Sequence, residues 1–534
     1  MCGIVGEARR DGRAVDEVVL RRMCEAIRHR GPDEDGFYLE GATGLAMRRL
    51  AIIDLSGGQQ PIHNEARSAW IVFNGEIYNY RPLRAELEKR GHRFYTDSDT
   101  EVVLHAYDEY GPTECPTHLR GMFAFAIWDE RREELLLARD RVGKKPLLYA
   151  ETPGGLVFGS EFQALLKHPE VSREVDREAL HHYLTFMCVP APLTAYRQIR
   201  KLEPGHTLRY RPRTGELERA RYWQPDFSKK LDIGEAEAGA RVVELLRDAV
   251  RVRLMSEVPL GAFLSGGVDS SAVVALMAQE SAEPVKTFSI GFEEQDFSEL
   301  HHARRVAEHV GAEHHEFIVR PDALEVLPTL VEHYGEPYAD SSAIPTYYVA
   351  RETRRHVTVA LNGDGGDECF AGYERYAAMR LAERYRRLPE ALREGVIRNA
   401  FDLIPSPELR RSRVRSVKRF LQAASLPAVE RYLRWVSVLD RAAKDDLYTP
   451  EFRREAGGFA DPASWLAPWF ARANGAGVVD AALLADTMTY LPNDLLVKVD
   501  IASMAVSLEA RSPFLDHHVI EFAASLPERL KLRG

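Results

Sequence analysis

Three short stretches of this 534-residue chain carry side chains and spacings suited to bond chemistry. The first, Ser265-Gly266-Gly267-Val268-Asp269-Ser270-Ser271, lies between the apolar runs Val258 to Leu264 and Ala272 to Ala278. Adjacent glycines let backbone N–H groups turn toward one anion, the hydroxyls add donors, and a helix start adds partial positive charge, so the loop reads as a phosphate cradle. Asp269 would repel a bare phosphate, which calls for a hard cation such as Mg2+ bridging carboxylate and phosphate oxygens. A helix N-cap after a tight turn accounts for the same residues with no ligand at all.

The second is Cys2. Removal of the initiator Met leaves a thiol and a free α-amine on one residue, and an amine with a reference pKa of about 7.7 to 8 is suited to taking the thiol proton. Without that chemistry Cys2 is a small buried residue opening a strand over 2–6. The third stretch, Asn74-Gly75-Glu76, follows the apolar strand Ile71-Val72-Phe73 and puts a side-chain amide and an unhindered glycine N–H at one strand end. Such a pair can form an oxyanion hole. Arg49 offers a planar fork for a carboxylate, and Glu76 and Asp99 offer acceptors for an ammonium group, so together they would hold an amino acid. Singly, Asn-Gly is a common turn, Arg49 a surface charge and Asp99 an N-cap.

The elements that must position these residues fall into two regimes. Helical spacing over 15–27 stops at Gly31-Pro32, and short strands follow over 44–53, 68–73, 123–128, 134–139, 147–150 and 156–160. Helices over 81–90 and 100–110 interrupt them, which predicts a layered α+β domain. Residues 122–128 and 139–147 read as a buried strand and a basic return loop. Polar, aperiodic sequence after 206 sets the expected division: a domain over 2–206, a linker over 207–235 and a second domain over 236–534. That second part alternates strand and helix from Val258 to Leu361, which predicts a doubly wound parallel sheet with ligands beyond the carboxyl ends of its strands. Asn362-Gly363-Asp364-Gly365-Gly366-Asp367-Glu368 is a second glycine-acid loop at such an end. Two of them favour a nucleotide site. Beyond Gly372 the chain is helical; the basic run 410–419 reads as a solvated helix face, adjacent His pairs do not read as a metal site, and 493–501 and 507–516 read as packing helix and turn.

A net charge of −10 gives no general attraction to nucleic acid or anionic membrane. No apolar run approaches transmembrane length, and five scattered cysteines supply neither a disulfide framework nor a CxxC site, so a cytoplasmic protein is expected.

Together the motifs resemble a known family. Met1-Cys2-Gly3-Ile4-Val5-Gly6, Arg28 to Asp33, Arg49-Leu50, Asn74 to Asn79 and Asp97 to Glu101 resemble the class II glutamine amidotransferases. Leu264 to Ser271, Asn362 to Glu368 and Glu509 to Asp516 are similar to the synthetase domain of glutamine-hydrolysing asparagine synthetases. The resemblance implies a four-layer αββα Ntn-hydrolase sandwich followed by an ATP-pyrophosphatase-type parallel sheet with added helices. It implies Cys2 as nucleophile, Asn74 and Gly75 as oxyanion donors, and Arg49, Ile53, Glu76 and Asp99 around glutamine, with ammonia passing inside the molecule to the second domain. There Leu264, Ile290 and Gly363 would hold adenosine, Ser265, Gly266, Gly267, Ser270 and Asn362 the phosphates, and Asp269 and Asp367 Mg2+. Asp364 matches an acid that forms or uses β-aspartyl-AMP. Expected partners are therefore glutamine, aspartate and ATP, without nucleic acid or membrane; a homodimer is allowed but not fixed.

Asn362 stands where many relatives have Ser, and Asp364 is shorter than the Glu of others. Relatives continue past the position of Gly534 with a lysine-bearing segment, so a truncated chain is expected. Two alternatives stay open at this point: another carboxylate acceptor, and a glutaminase-only regulatory relative. A tRNA-modifying enzyme with a similar loop would not need Cys2 and Asn74-Gly75-Glu76.

Overall fold

The computed structural model describes residues 2–291, 299–319, 323–393, 413–473 and 475–533. Its strands are β1 (Gly3–Arg9), β2 (Glu34–Glu40), β3 (Thr43–Arg49), β4 (Ile62–His63), β5 (Ala69–Ile77), β6 (Gly121–Asp129), β7 (Glu134–Arg139), β8 (Leu148–Glu151), β9 (Gly155–Gly159), β10 (Ile199–Lys201), β11 (His206–Arg211) and β12 (Glu216–Arg221). After these come β13 (Leu260–Phe263), β14 (Lys286–Gly291), β15 (Glu313–Ile318), β16 (Val359–Leu361) and β17 (Glu509–Arg511).

The first twelve strands form two six-stranded sheets, ordered β10-β8-β9-β1-β3-β2 and β12-β11-β7-β6-β5-β4. Strand side chains alternate between faces, and here both faces are buried. Ile4 and Ala8 of β1 meet Val72 of β5 and Ala124 and Ala126 of β6 between the sheets. The opposite parity faces helices: Val5 and Ala46 pack on Leu20, Met23 and Ile27, while Ile71, Phe73 and Phe125 pack on Leu83, Val102 and Tyr107. That is the αββα layering expected. Cys2 shares the parity of Ile4, and Asn74 that of Val72, so both point into the inter-sheet layer near its end.

The last five strands make an all-parallel sheet ordered β15-β14-β13-β16-β17. Val273, Met277 and Ala307 cover one face against Ala262 and Leu361, and Ala350 and Leu508 cover the other against Phe288 and Ala360. From β13 the chain builds outward through β14 and β15, then returns to add β16 and β17 on the other side. The switch of direction opens a crevice between β13 and β16, where the two glycine-acid loops emerge side by side.

Several sequence expectations are corrected. Asn74, Gly75 and Glu76 lie within β5 rather than after it, because β6 pairs with the whole segment up to Ile77. Asp269 and Ser270 belong to the first turn of the helix Val268–Glu280, which starts four residues before the apolar run at Ala272. Residues 207–221, assigned to a linker, form most of β11 and all of β12 and extend the second sheet; their charged side chains mask a half-exposed edge. Glu509–Arg511, read as part of a turn, is the edge strand β17. Three residues with charged ends give no strand signal unless the burial of those charges is known. Of the basic run 410–419, residues 410–412 lie outside the described residues, and the rest begins the helix Arg413–Ala424.

The two halves meet through buried charge. Arg30, fully buried, donates to Glu161 and to Asp500 of the helix Leu496–Met504, both at 2.7 Å, and Lys145 donates to the same Asp500 at 3.1 Å. Arg120 and Arg253 converge on Asp516 at 2.8 Å each.

Candidate active site

Two clefts collect nearly all the residues singled out above. In the first, Cys2, Arg49, Ile53, Gly75, Glu76 and Asp99 line one narrow pocket, which Gln60 and Ser98 also line. Asn74, the neighbour of Gly75 on β5, accepts at Oδ1 from Cys2 N at 3.1 Å. Its Nδ2 is buried with no hydrogen-bond partner among the described residues, an expensive state unless a ligand oxygen arrives there.

The pairing pattern supplies a second donor. Phe123 exchanges hydrogen bonds with Asp140 on the β7 side, Asp140 N to Phe123 O at 2.8 Å and Phe123 N to Asp140 Oδ2 at 3.2 Å. Its partner on β5, Gly75, is thus in a non-hydrogen-bonded pair. On the outer edge of β5, Phe73 N donates to Gln60 Oε1 at 2.7 Å and Ile77 N to Asp99 Oδ2 at 2.8 Å. Gly75 lies between them with the same parity, so its N–H points off that edge into the pocket. Glycine is needed for a separate reason: a Cβ there would stand 2.1 Å from Met122 O.

Arg49 is anchored by Glu34 at 2.8 Å and by the carbonyls of Ile53 at 3.1 Å and Asp54 at 2.6 Å, which aims its guanidinium. Burial pushes the Cys2 thiol up from its ordinary range, so the thiol needs a nearby base to react. Burial likewise raises Asp99 to about 6. It raises Glu76 well above the usual carboxylate range, helped by the charge of Glu509 and opposed by Arg511. Arg511 of β17 reaches across from the parallel sheet, its Nη2 3.6 Å from Glu76 Oε2. This cation beside Glu76 was missed in the sequence, since 435 residues separate the pair and no local pattern links them.

In the second cleft, Leu264, Ser265, Gly267, Asp269, Ser270, Ile290, Asn362, Gly363 and Asp364 lie together. Gly266 turns the loop with φ +83°, and a Cβ there would stand 2.5 Å from Ala303 N. Ser265 and Ser270 share a hydrogen bond at 2.9 Å that holds the turn. The two loops touch: a Cβ on Gly363 would lie 2.8 Å from Ser270 N. Asp367 does not line the cleft; it sits behind, on the short helix Gly366–Phe370, with its carboxylate against Gly372. Burial, then Asp367 and Asp364, raise Asp269 to about 6. Among the described residues Asp269 forms no ion pair, and its carboxylate faces the cleft as an oxygen donor that a hard cation would balance. Lys498, within the segment read as a packing helix, also lines the cleft and contacts Asp340 at 3.1 Å and Ser342 at 2.8 Å. Helical periodicity hid it.

His29, Glu161 and His333 form a further group with metal-like spacing between the halves. There Glu161 is already matched by Arg30, and Asp500 by Arg30 and Lys145, so the local charge is balanced without an ion.

A buried-thiol pocket on one half and a paired glycine-loop cleft on the other define a two-part amidotransferase. Residues 1–223 match the family model for the glutamine amidotransferase domain and residues 241–534 that for asparagine synthase, and the chain belongs to the asparagine synthase family. It is 37% identical to Bacillus subtilis asparagine synthetase [glutamine-hydrolyzing] 1, over 100% of this chain and 82% of that protein. A putative asparagine synthetase [glutamine-hydrolyzing] of Mycobacterium tuberculosis is 37% identical over 96% of this chain and 79% of its own. Bacillus subtilis asparagine synthetase [glutamine-hydrolyzing] 3 is 31% identical over 100% and 82%.

Proposed function

We propose that this enzyme makes asparagine from aspartate and ATP with ammonia from glutamine, releasing glutamate, AMP and pyrophosphate. The observation that carries the reading is the pairing, in one chain, of Cys2 beneath the two free donors at Asn74 and Gly75 with the two touching glycine-acid loops at the sheet's switch point.

In the first cleft, Arg49 takes the glutamine α-carboxylate while Glu76 and Asp99 take its α-ammonium, which brings the side-chain amide to Cys2. With Met1 removed, the Cys2 amine accepts the thiol proton. Sγ attacks the amide carbon, Asn74 Nδ2 and the Gly75 N–H hold the oxyanion, and the C–N bond breaks as the proton passes to departing ammonia. Water then cleaves the thioester to glutamate.

In the second cleft, the backbone at Leu264, Ile290 and Gly363 holds adenosine, and Ser265, Gly266, Gly267, Ser270 and Asn362 hold the phosphates. Asp269, which faces the cleft, would hold Mg2+, which when bound would draw charge from the phosphoryl oxygens and steady pyrophosphate as it leaves. An aspartate β-carboxylate oxygen attacks the α-phosphorus, and the acyl carbon is then attacked by ammonia. Asp364 orients these groups; AMP leaves and a proton is released. The functional boundary lies between Arg221 and Glu235, and five free buried cysteines suit a reducing cytoplasm. Among the described residues no helix is long and apolar enough to cross a membrane.

The test supplies glutamine, ATP, Mg2+ and aspartate and measures products. Equal yields of asparagine, AMP and pyrophosphate are expected. ADP and phosphate, or amidation of some other carboxylate in preference to aspartate, would overturn the reading.

A further inference from the structure

We infer that Lys144, carried by the amidotransferase half, is a positioning residue for the synthetase site, acting through Ser512 and Asn362 on Asp364. This rests on the reading of residues 362–368 as part of that site.

The observation is an unbroken buried chain. Lys144 Nζ donates to Ser512 Oγ, Ser512 Oγ donates to Asn362 Oδ1, and Asn362 Nδ2 donates to Asp364 Oδ2 at 2.6 Å. Lys144, Ser512 and Asn362 are all buried. Every donor points the same way, from an ammonium to a carboxylate, so the bonds polarise and strengthen one another. The chain also gives a reason for the unusual pair at 362 and 364: the longer Asn362 amide spans the distance that the shorter Asp364 leaves. Register fixes the link, since Asn362 N donates to Arg511 O at 2.9 Å and so places Ser512 beside Asn362.

Lys144 stands at a junction. It lines the cavity between the halves, with Leu147, Phe162, Leu496 and Ile501, while Asp364 lines the nucleotide cleft. The charged groups around its ammonium are Asp364, Lys145, Asp500 and Asp140, and burial lowers it to about 8. A lysine so placed can lose its charge at mildly alkaline pH, which a purely structural cation would not show.

The experiment compares the wild-type enzyme with Lys144→Met, Ser512→Ala, the double variant and Asp364→Asn. Ammonia-dependent asparagine synthesis and glutamine hydrolysis are measured from acid to alkaline pH. Both single variants are expected to lower kcat for ammonia-dependent synthesis at least tenfold with glutamine hydrolysis within twofold of wild type. The double variant should lose no more than the worse single one. The wild-type alkaline fall in synthesis should vanish in Lys144→Met. Unchanged synthesis in both singles, multiplicative losses in the double, or an alkaline limb surviving in Lys144→Met would overturn the inference. Should Lys144→Met misfold, Ser512→Ala, which only removes a hydroxyl, carries the comparison. Full synthesis in Asp364→Asn would instead overturn the reading of the site itself.

Discussion

Asn74→Ala separates catalysis from structure. The side chain has two halves with opposite energetics. Oδ1 accepts from Cys2 N at 3.1 Å, and losing such a bond costs about 0.5–1.5 kcal/mol. Nδ2 is buried without a partner among the described residues, and removing an unsatisfied donor of that kind recovers about 1–3 kcal/mol. The two nearly cancel, so stability should change by no more than about 2 kcal/mol. Catalysis has no such compensation. Deleting one of two oxyanion donors lowers kcat by about 10²–10³, or about 2.7–4 kcal/mol. The assay is glutamate release under saturating glutamine, with thermal unfolding and ammonia-dependent asparagine synthesis on the same preparation. The expected result is a large loss in glutamate release alone. Release within threefold of wild type, or a parallel loss of ammonia-dependent synthesis, would refute the argument.

Three further outcomes follow from the geometry. Burial raises Asp99 to about 6, so it is ionised above that pH and protonated below; the KM for glutamine should climb as pH falls through about 6, and a KM flat across that range would count against Asp99 as the ammonium ligand. In Gly363→Ala the new methyl would lie 2.8 Å from Ser270 N and 3.0 Å from Asp269 Cβ, so aspartate-dependent pyrophosphate exchange into ATP should fall at least tenfold while glutamine hydrolysis persists. Arg511→Met removes the guanidinium facing Glu76 and Glu509; stability loss of about 3–5 kcal/mol and a raised KM for glutamine are expected, and an unchanged KM in a folded variant would show that the cation does not act on the pocket.

What could be read from sequence was chemistry confined to short segments. The two glycine-acid loops, the second-position cysteine and the alternation that builds a parallel sheet are local patterns; the structure sets the two loops side by side in one cleft and Cys2 in another. What escaped was chemistry made by distance. Lys144 and Ser512 are 368 positions apart, and Arg511 meets Glu76 only because β17 brings it there from the other half. Gly75 shows a subtler limit. Asn-Gly reads as a turn, yet the pair runs inside β5, and its free N–H is created by Phe123 bonding to Asp140 instead of to it.

Arg30 gives the molecule a history as well as a shape. Its guanidinium has one carboxylate from each half, Glu161 and Asp500, and Lys145 shares the second. An ancestor that exchanged either half for a foreign module would have inherited a buried ion without its counter-ion, at a cost of several kcal/mol. The two halves are therefore poor currency for gene shuffling. Recombinants of this chain should succeed only when both sides of the seam are transplanted together.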